Sequence, residues 1–432
     1  MESRNGNEPM PPPRKPFTRR ALIKTSALIA ASSGLAMPAI AQGISGEIAF
    51  ATFEWTLPHT GGVLRKITQA FVKKYPNVTV REIPIPASGY ADQIFTQLTA
   101  GTPPDIFRIE DAPLALYLER GFLIPLDDAL AQAGVDTSKF VPAAKDAVHN
   151  GKTYGIVYQT NPRALIYNKA LLANAGISGP PKDAAQLEDY VKRATSRERG
   201  TFGYTIATKS GDISGMMISI MPFVLGMGGN FTTPDGKPSA NTKPVIEGIS
   251  MVKRFWDANC VPRGLDGPAA NKLVLDGKVA LTINGSFAIG ASMPEVKPNL
   301  DAVASPMPSG VVLRGTTFYG VTAKGKNNPA TTAWLMYMLT PESQATIAEI
   351  ERVVPALPNF IPPALYEQTP WYKAFVEAAA TSVSFLPPGL GSKAFGQMRV
   401  IADELELVLF RDKPVDKAMN DLQQTLEANL GK

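Results

Sequence analysis

The chain has 432 residues, 44% of them hydrophobic, which is enough for roughly two or three domains with buried cores. It contains two histidines and one cysteine, and this scarcity excludes zinc fingers, zinc deaminases, intramolecular disulfides and thiol–disulfide exchange. The formal net charge of +5 comes mostly from residues 1–41, which hold six basic and two acidic side chains. The remaining chain is therefore almost neutral, and no nucleic-acid partner is expected.

A basic leader opens the chain. Paired Arg19-Arg20 precede a weakly apolar stretch over 27–41, a pattern that resembles a twin-arginine (Tat) export signal. The stretch ends in Ala39-Ile40-Ala41, the small-x-small pattern of a signal-peptidase site, so we expect the mature chain to begin at Gln42 and to be exported to the periplasm. The alternative is an N-terminal helix with a chance arginine pair. A membrane anchor is not expected, because the stretch falls short of the ~20 apolar residues of a span.

Strand and helix patterns alternate over the first third of the mature chain. Apolar and β-prone residues predict strands over 48–53, 78–83 and 105–109. Apolar residues at helical spacing predict helices from Val63 to a stop at Tyr75-Pro76, over 90–100 and over 113–120. Such alternation is typical of an α/β fold in which helices cover both faces of a parallel sheet.

The patterns change in the second half of the chain. Short apolar segments occur at 155–158 and 164–167, and helical patterns dominate from 183 to 259. Strand patterns return at 279–284 and 316–321. Four further helices are predicted, over 329–339, 341–350, 394–410 and 415–430.

Eight segments in a fixed order, spread over most of the mature chain, resemble the family 1 extracellular solute-binding proteins of ABC importers, relatives of maltose-binding protein. They are 71–80, 98–106, 121–128, 151–157, 165–172, 175–182, 277–280 and 330–344. Each segment alone is a weak signal, whereas their succession is specific.

The resemblance implies a two-lobed type II periplasmic-binding-protein fold, with a mostly parallel, helix-flanked sheet in each lobe and the ligand cleft between the lobes. By analogy, residues 1–41 are the signal peptide. Lobe 1 comprises 43–157 plus 315–350, and lobe 2 comprises 160–310 plus 353–432. The chain would cross between lobes near 158–159, 307–314 and 351–352, and closure would be a hinge motion about these crossings.

The function implied by the resemblance is that of a periplasmic substrate-binding component. It would capture a small carbohydrate or polyol and deliver it to the permease subunits of an ABC importer, as a monomer without cofactor or metal. A non-sugar cargo such as a polyamine, an opine or glycerol phosphate is left open. Other hydrolase classes are not expected, because the chain lacks a Gly-x-Ser-x-Gly elbow, an HExxH motif and a phosphate-binding loop. An exported glycoside hydrolase is less favoured but stays open, because its two carboxylates could come from the 36 acidic residues of the mature chain.

Two acid-containing pairs at strand ends are candidate ligand residues. Glu54-Trp55 follows the first predicted strand, and an indole beside a carboxylate suits a sugar ring with its hydroxyls. Glu110-Asp111 ends the third predicted strand and can accept several hydroxyl donors or hold a cationic group. The alternatives are a core tryptophan and an Asp111 that caps the following helix.

Two polar segments further along are also candidates. Gln159, Asn161 and Arg163 lie at an expected crossing, where amides can orient a polyol and the guanidinium can hold a carboxylate or phosphate. Gly229 and Asn230 follow a predicted helix, and glycine would let the backbone approach the ligand. A plain helix C-cap is the alternative for this glycine-rich turn.

Five later residues complete the ligand-binding set. Asn284 and Phe287 end a strand where many sugar-binding relatives carry Gly-Asp-Trp or a similar motif, and this chain has Ser286-Phe287 there instead, which weakens the case for a sugar held between two aromatic rings. Phe318-Tyr319 would restore an aromatic wall. Arg352 matches a position where relatives often place a cleft arginine. Its alternative is a surface ion pair with a neighbouring glutamate.

Overall fold

A computed structural model of the protein describes residues 43–325 and 328–431. The predicted Tat leader and its cleavage site lie outside the described residues. Within the described ranges, no helix combines the length and the apolar character that a bilayer crossing requires.

The strands lie mostly in the first half of the chain and again between residues 280 and 321. In chain order they are β1 Gly46–Thr52, β2 Val78–Pro84, β3 Ile106–Glu110, β4 Val148–His149, β5 Lys152–Thr153, β6 Ile156–Pro162, β7 Ala164–Asn168, β8 Leu281–Asn284, β9 Leu300–Val303, β10 Val312–Val321, β11 Val354–Pro355 and β12 Ser382–Ser384.

Helices separate the strands and form most of the C-terminal third. They are α1 Pro58–Lys74, α2 Tyr90–Ala100, α3 Asp111–Glu119, α4 Asp127–Gln132, α5 Lys169–Asn174, α6 Ala184–Ala194, α7 Ile213–Gly226, α8 Lys243–Asp257, α9 Gly267–Leu275, α10 Phe287–Gly290, α11 Asn328–Met338, α12 Pro341–Glu351, α13 Pro363–Gln368, α14 Tyr372–Ala378, α15 Ala394–Phe410 and α16 Val415–Leu430.

The larger sheet has the strand order β11-β6-β10-β3-β1-β2, and β12 pairs with β10. The β1–β2 and β1–β3 pairs are parallel, as the alternation of strands and helices predicts. Strand β10 runs antiparallel to both β3 and β6 and so joins the two halves of the sheet. The carboxyl ends of β1 and β3 therefore open on the same edge, where Glu110 and the turn after β1 lie.

A smaller sheet of order β8-β7-β9 contains only antiparallel pairs among the described strands. The expectation of a mostly parallel sheet is therefore wrong for this part of the chain, although the two-lobed α/β fold class is confirmed. Helices α5 to α9 all lie between β7 and β8 in the chain, so these neighbours are not joined by the simple strand–helix–strand crossover that makes two strands parallel.

Two large apolar clusters form the cores. The first cluster is built on β1, β2, β3 and α1 and includes Phe50, Tyr158 and Phe318. The second cluster is built on α7, α8, α15 and α16 and includes Leu165 and Leu313. Two cores of this size are what a two-lobed chain requires, because one hydrophobic core rarely serves more than about 250–300 residues.

The chain passes between these clusters within strands. The first passage lies between Tyr158 and Leu165 and the second between Leu313 and Phe318. Val353 and Leu357, which we assigned to lobe 2, pack in the first cluster, as does Ala379. The lobe boundaries themselves stay a prediction.

The two passages lie side by side as a paired ribbon. Residues 159–162 of β6 pair antiparallel with residues 314–317 of β10, and an irregularity follows between Thr317 and Phe318. We call this pair of strands the ribbon. Its backbone groups are hydrogen-bonded to each other, so the connection between the clusters is not a loose linker.

Candidate functional site

A cleft of about 800 Å³ lies against the ribbon and is lined from both clusters. One side, which we call the first wall, is formed by α2, the end of β3 and α3. Further lining residues, which we call the second wall, are Arg163 and residues of α7, α10 and the start of α15. The ribbon supplies the floor with Gln159, Asn161 and residues 315–317. A recess of this size between two parts of a chain is a typical small-molecule site.

The first wall is centred on Arg108, a charged residue within an otherwise apolar strand. Its guanidinium donates to buried Glu54 and, at 3.3 Å, to Glu110, and it lies 4.3 Å from the centroid of the Phe53 ring. Burial lowers the pKa of this guanidinium, but the charges of Glu54 and Glu110 outweigh that effect and raise the pKa above its ordinary value. Arg108 therefore stays charged, and its charge is balanced by carboxylates of the protein itself.

Glu54 is the buried support of this wall, with 1% of its surface exposed. Besides Arg108, it accepts hydrogen bonds from the hydroxyls of Tyr319 and, at 3.1 Å, Thr52. Burial, followed by the charge of Glu54, raises the pKa of Tyr319 well above its ordinary range, which keeps this donor protonated. A carboxylate with three protein donors supports Arg108 and is not available to a ligand.

Asp111 is the second acid of the first wall and is also buried. One of its oxygens accepts the Thr316 N–H at 2.7 Å, whereas the other is buried without a partner among the described residues. Burial raises the pKa of this carboxyl to about 7, although the Thr316 bond opposes the shift. Asp111 therefore has both a protonated and a charged form near neutral pH.

The second wall presents aromatic side chains. Phe287 at the start of α10 and Phe395 in α15 are 38% and 46% exposed, and Phe385 lies beside them in the lining. Exposed aromatic rings within a concave site offer flat apolar faces, and a sugar ring has such a face on its C–H side.

Arg163 lies among these rings and is the second cation of the cleft. Its guanidinium is 5.4 Å from the centroid of Phe287 and donates to the Asn284 side-chain oxygen at 2.8 Å. Asn284 in turn donates to Asn271 at 3.1 Å, which fixes the orientation of its amide. Unlike Arg108, Arg163 makes no ion pair within residues 43–325 and 328–431. Burial lowers the pKa of Arg163 to about 10.

The floor carries neutral polar groups. Asn161 donates to Gln159 at 3.5 Å and accepts from the Ser286 hydroxyl at the same distance. These long contacts leave most of the hydrogen-bonding capacity of both amides for another partner. Together with residues 315–317, they form a polar strip between the charged first wall and the aromatic second wall.

The structure brings six of the predicted ligand residues together in the cleft: Glu110, Asp111, Gln159, Asn161, Arg163 and Phe287. They come from three separate regions of the chain, 110–111, 159–163 and 287, which supports their choice as one site. Contact with a ligand stays a prediction for each of them. Asp111 does not cap α3, since its carboxylate bonds to Thr316 across the sheet.

Three aromatic residues that we expected on the cleft are buried in the first cluster, and this placement is corrected here. Trp55 turns back on β1, where its Nε1 donates to the Phe50 carbonyl at 3.0 Å and its ring meets Phe50 edge-on. Phe318 and Tyr319 are fully buried in β10. Burying these rings removes a large apolar area from water, and the polar atoms of Trp55 and Tyr319 find partners inside the core.

Gly229 is likewise placed away from the cleft. Its N–H bonds to the Val224 carbonyl at 2.9 Å, so it closes the end of α7, and a side chain there would collide with the start of α8. The neighbouring Asn230 lines a separate cavity of about 580 Å³, which shares Asp111 with the cleft.

The remaining predicted residues act at a distance from the lining. Asn284 holds Arg163 and is not itself part of the lining, and Glu54 holds Arg108. Arg352 ends α12 in the left-handed conformation with φ 58°, and within the described residues its guanidinium donates to the Ala348 carbonyl alone, at 3.5 Å. None of the three lines the cleft.

Sequence reasoning missed Arg108 and Phe395. Arg108 interrupts the apolar run of β3 near its carboxyl end, and a charged residue at that place could have signalled a cleft-facing side chain. Phe395 gives no such signal, because an aromatic residue near the start of an amphipathic helix is ordinarily part of a core. Elsewhere in the described ranges, no group of three or more His, Cys, Asp or Glu side chains is arranged to hold a metal ion.

The sequence model of a family described as bacterial extracellular solute-binding protein matches residues 66–374. An uncharacterized ABC transporter extracellular-binding protein of Pyrococcus horikoshii is 24% identical over 392 residues, which cover 87% of this chain and 86% of the relative.

Two solved structures show the same fold. The GacH receptor of Streptomyces glaucescens, described with acarbose, has a TM-score of 0.76 at 22% identity and covers 89% of this chain and 98% of its own. UgpB of Mycobacterium tuberculosis in complex with glycerophosphocholine has a TM-score of 0.77 at 17% identity, covering 90% and 99%.

Proposed function

The chain belongs to the bacterial extracellular solute-binding proteins, and we propose that it is the substrate-binding component of an ABC importer for a small carbohydrate or polyol. Membership of this family makes it a binding protein and not an enzyme. The observation that carries the proposed cargo class is the cleft, whose lining combines exposed aromatic rings with hydrogen-bonding groups of the floor and the first wall. A sugar needs this combination, because its C–H face is apolar and its edge is lined with hydroxyls.

The delivery route belongs to the same proposal. The leader over 1–41 directs the chain to the periplasm through the twin-arginine pathway, and the monomeric binding protein presents its ligand to membrane permease subunits. Support comes from the paired Arg19-Arg20 and from the relative described as an ABC transporter extracellular-binding protein. Uptake of the identified ligand by cells with and without this chain measures delivery.

The cargo class is tested by thermal shift of the purified protein with neutral sugars, sugar acids, polyols, amines and phosphate esters. A ligand at 100 times its dissociation constant adds about 2.7 kcal/mol to the free energy of unfolding, which raises the melting temperature measurably. A shift with any sugar, sugar acid or polyol supports the proposal. Shifts with amines alone, shifts only with phosphate esters that contain no sugar or polyol, or no shift with any compound would overturn the carbohydrate assignment.

The stacking wall is tested by a matched pair of substitutions in α15. Phe395 lines the cleft, whereas Phe410, at the other end of the same helix and 42% exposed, packs against Trp256. We expect Phe395→Ala to weaken binding of the identified ligand by about 0.5–1.5 kcal/mol, the usual value of an aromatic contact. Phe410→Ala should leave the affinity unchanged. Equal affinities of the two variants in calorimetry would remove Phe395 from the site.

A further inference from the structure

The cleft contains a buried positive charge that no acidic side chain neutralises. Arg163 is 8% exposed and lines the cleft, yet its protein contacts are the Asn284 amide oxygen and the face of Phe287. Its Nε is buried without a hydrogen-bond partner in the part of the chain that the structure describes, as are the Nε atoms of Arg108 and Arg314, so what sets Arg163 apart is the lack of an ion pair. The burial of a guanidinium costs free energy unless an anion pairs with it.

Two other arginines with little exposure, Arg108 and Arg314, have acidic partners within the protein. Arg108 is paired with Glu54 and Glu110, and Arg314 is paired with Asp146 and donates to the Ser382 carbonyl. Both pairings are made within the protein. Arg163 differs in that its open side faces the cleft, so its missing partner has to come from there.

The acids that line the cleft are engaged elsewhere. Glu110 pairs with Arg108, and Asp111 bonds to the Thr316 N–H and is partly protonated near pH 7 because burial raises its pKa to about 7. Asp92 is an exposed residue of α2. None of the three forms an ion pair with Arg163.

We propose that Arg163 is an anion-binding residue, and that the cargo is an acidic carbohydrate or polyol whose carboxylate or phosphate ester pairs with this guanidinium. This inference rests on the proposed function, since it concerns the ligand of the same cleft. A planar guanidinium can bind two oxygens of either group at once. The neighbouring Phe287 ring then faces the apolar part of the same ligand, and the floor amides take its hydroxyls.

The choice of anion over cation follows from charge. An ammonium group of a polyamine at Arg163 would meet a like charge where water is excluded, and like charges repel strongly there. The first wall, where Glu54 and Glu110 face the single charge of Arg108, is the part of the cleft that suits a cation. A neutral sugar would leave the guanidinium of Arg163 uncompensated. An acidic ligand resolves both problems.

The test compares the affinities of neutral and acidic partners of the same skeleton by calorimetry on the purified protein. The pairs are glucose with glucuronate, galactose with galacturonate, and glycerol with glycerol 3-phosphate, at about 0.15 M salt. We expect the acidic member of at least one pair to bind ~10-fold or more tightly than the neutral one, as charge-assisted hydrogen bonds would give. The pair that shows the preference tells carboxylate from phosphate.

Two variants locate the preference. Arg163→Met should abolish the preference, mainly by weakening the binding of the acidic compound ~10-fold or more. Arg163→Lys keeps the positive charge and should retain part of the preference. Arg263→Met is the matched control, because Arg263 also lies over a ring, that of Trp256 at 4.3 Å, but does not line the cleft. If Arg163→Met does not fold, the preference of the unaltered protein and its reduction in Arg163→Lys still test the proposal.

The outcomes separate the two proposals. Equal or tighter binding of the neutral members, or an acidic preference that survives Arg163→Met, would overturn the role of Arg163 and leave the carbohydrate importer intact. Binding of spermidine in preference to every pair, or no binding of any sugar, sugar acid or polyol, would overturn both.

Discussion

The arginines of the two walls, Arg108 and Arg163, have different kinds of partner. On the first wall, Arg108 is neutralised by Glu54 and Glu110, and Tyr319 and Thr52 donate to Glu54 from behind. On the second wall, Arg163 is equally buried but has an amide and an aromatic face as its neighbours. The arginine of the first wall has acidic partners within the protein, whereas Arg163 of the second wall has none among the described residues. In this cleft the first wall therefore contributes mainly rigidity, and the second contributes mainly selectivity.

The largest expected effect comes from removing the support of the first wall. Glu54→Ala leaves the Arg108 guanidinium and two hydroxyls buried without their acceptor, so we expect the free energy of unfolding to fall by about 3–5 kcal/mol. Urea denaturation of the unliganded protein measures this.

Glu47→Ala serves as the control for Glu54→Ala, because Glu47 lies in the same strand region and pairs with Arg81 at 2.7 Å on the surface. An exposed pair of this kind contributes about 1 kcal/mol or less. Equal losses in the two variants would mean that the first wall is not held together by Glu54.

The second effect is a pH dependence of stability that arises from Asp111. Its pKa in the folded protein is about 7, above the ordinary 3.8, so the folded state keeps a proton that the unfolded chain releases. This contribution to stability is fully present below about pH 4 and is lost as the pH rises through 7. Asp111→Asn does not titrate, so its stability relative to the natural protein should increase by roughly 2–4 kcal/mol between pH 4 and pH 8.

Thermal unfolding at a series of pH values measures this difference. Asp136→Asn is the control, because Asp136 is exposed and its pKa is lowered by hydrogen bonds from Ser138. Its difference from the natural protein should not grow with pH. A flat difference for Asp111→Asn would show that this acid is charged at all these pH values, and that the first wall carries more negative charge than we describe.

The smallest effect concerns Arg352, which belongs to neither wall. Its left-handed φ of 58° strains any residue with a side chain, and Arg352→Gly removes the strain but makes the unfolded chain more flexible. We expect the free energy of unfolding to change by no more than about 1 kcal/mol and the ligand affinity to stay the same.

Arg352→Ala is the informative companion to this glycine variant, because it removes the guanidinium and keeps the strain. A tenfold loss of ligand affinity in both variants would return Arg352 to the ligand set, where the sequence resemblance placed it.

Local patterns predicted much of the fold. Helices α2 and α16 begin and end where apolar spacing indicates, and β2 and β3 differ from the predicted strands by one residue at the ends. The antiparallel order of the smaller sheet was not predictable in this way, because alternation along a strand carries no information about the direction of its neighbours.

The site was predicted at the level of segments and less well at the level of side chains. The turn after β1 contributes no lining residue and reaches the cleft only through Phe53 and Glu54, which contact Arg108, while Trp55 turns into the core because Phe50 offers both an edge-on ring and a carbonyl acceptor. Such a choice depends on tertiary neighbours and leaves no trace in the local sequence. Arg163 was a candidate for holding an anion, but its lack of an acidic partner is visible only in three dimensions.

The ribbon has a mechanical consequence for the bound molecule. Because β6 and β10 stay paired while they pass from one cluster to the other, any rotation of the clusters has to twist both strands together, most readily at the irregular step after Thr317. If the clusters rotate as the family resemblance implies, Gln159, Asn161 and residues 315–317 lie on the paired strands about which they turn, and we expect these groups to move least. We expect a ligand to keep its contacts with these groups throughout such a rotation. The contacts that it makes with the two walls then determine whether the open or the closed form is favoured.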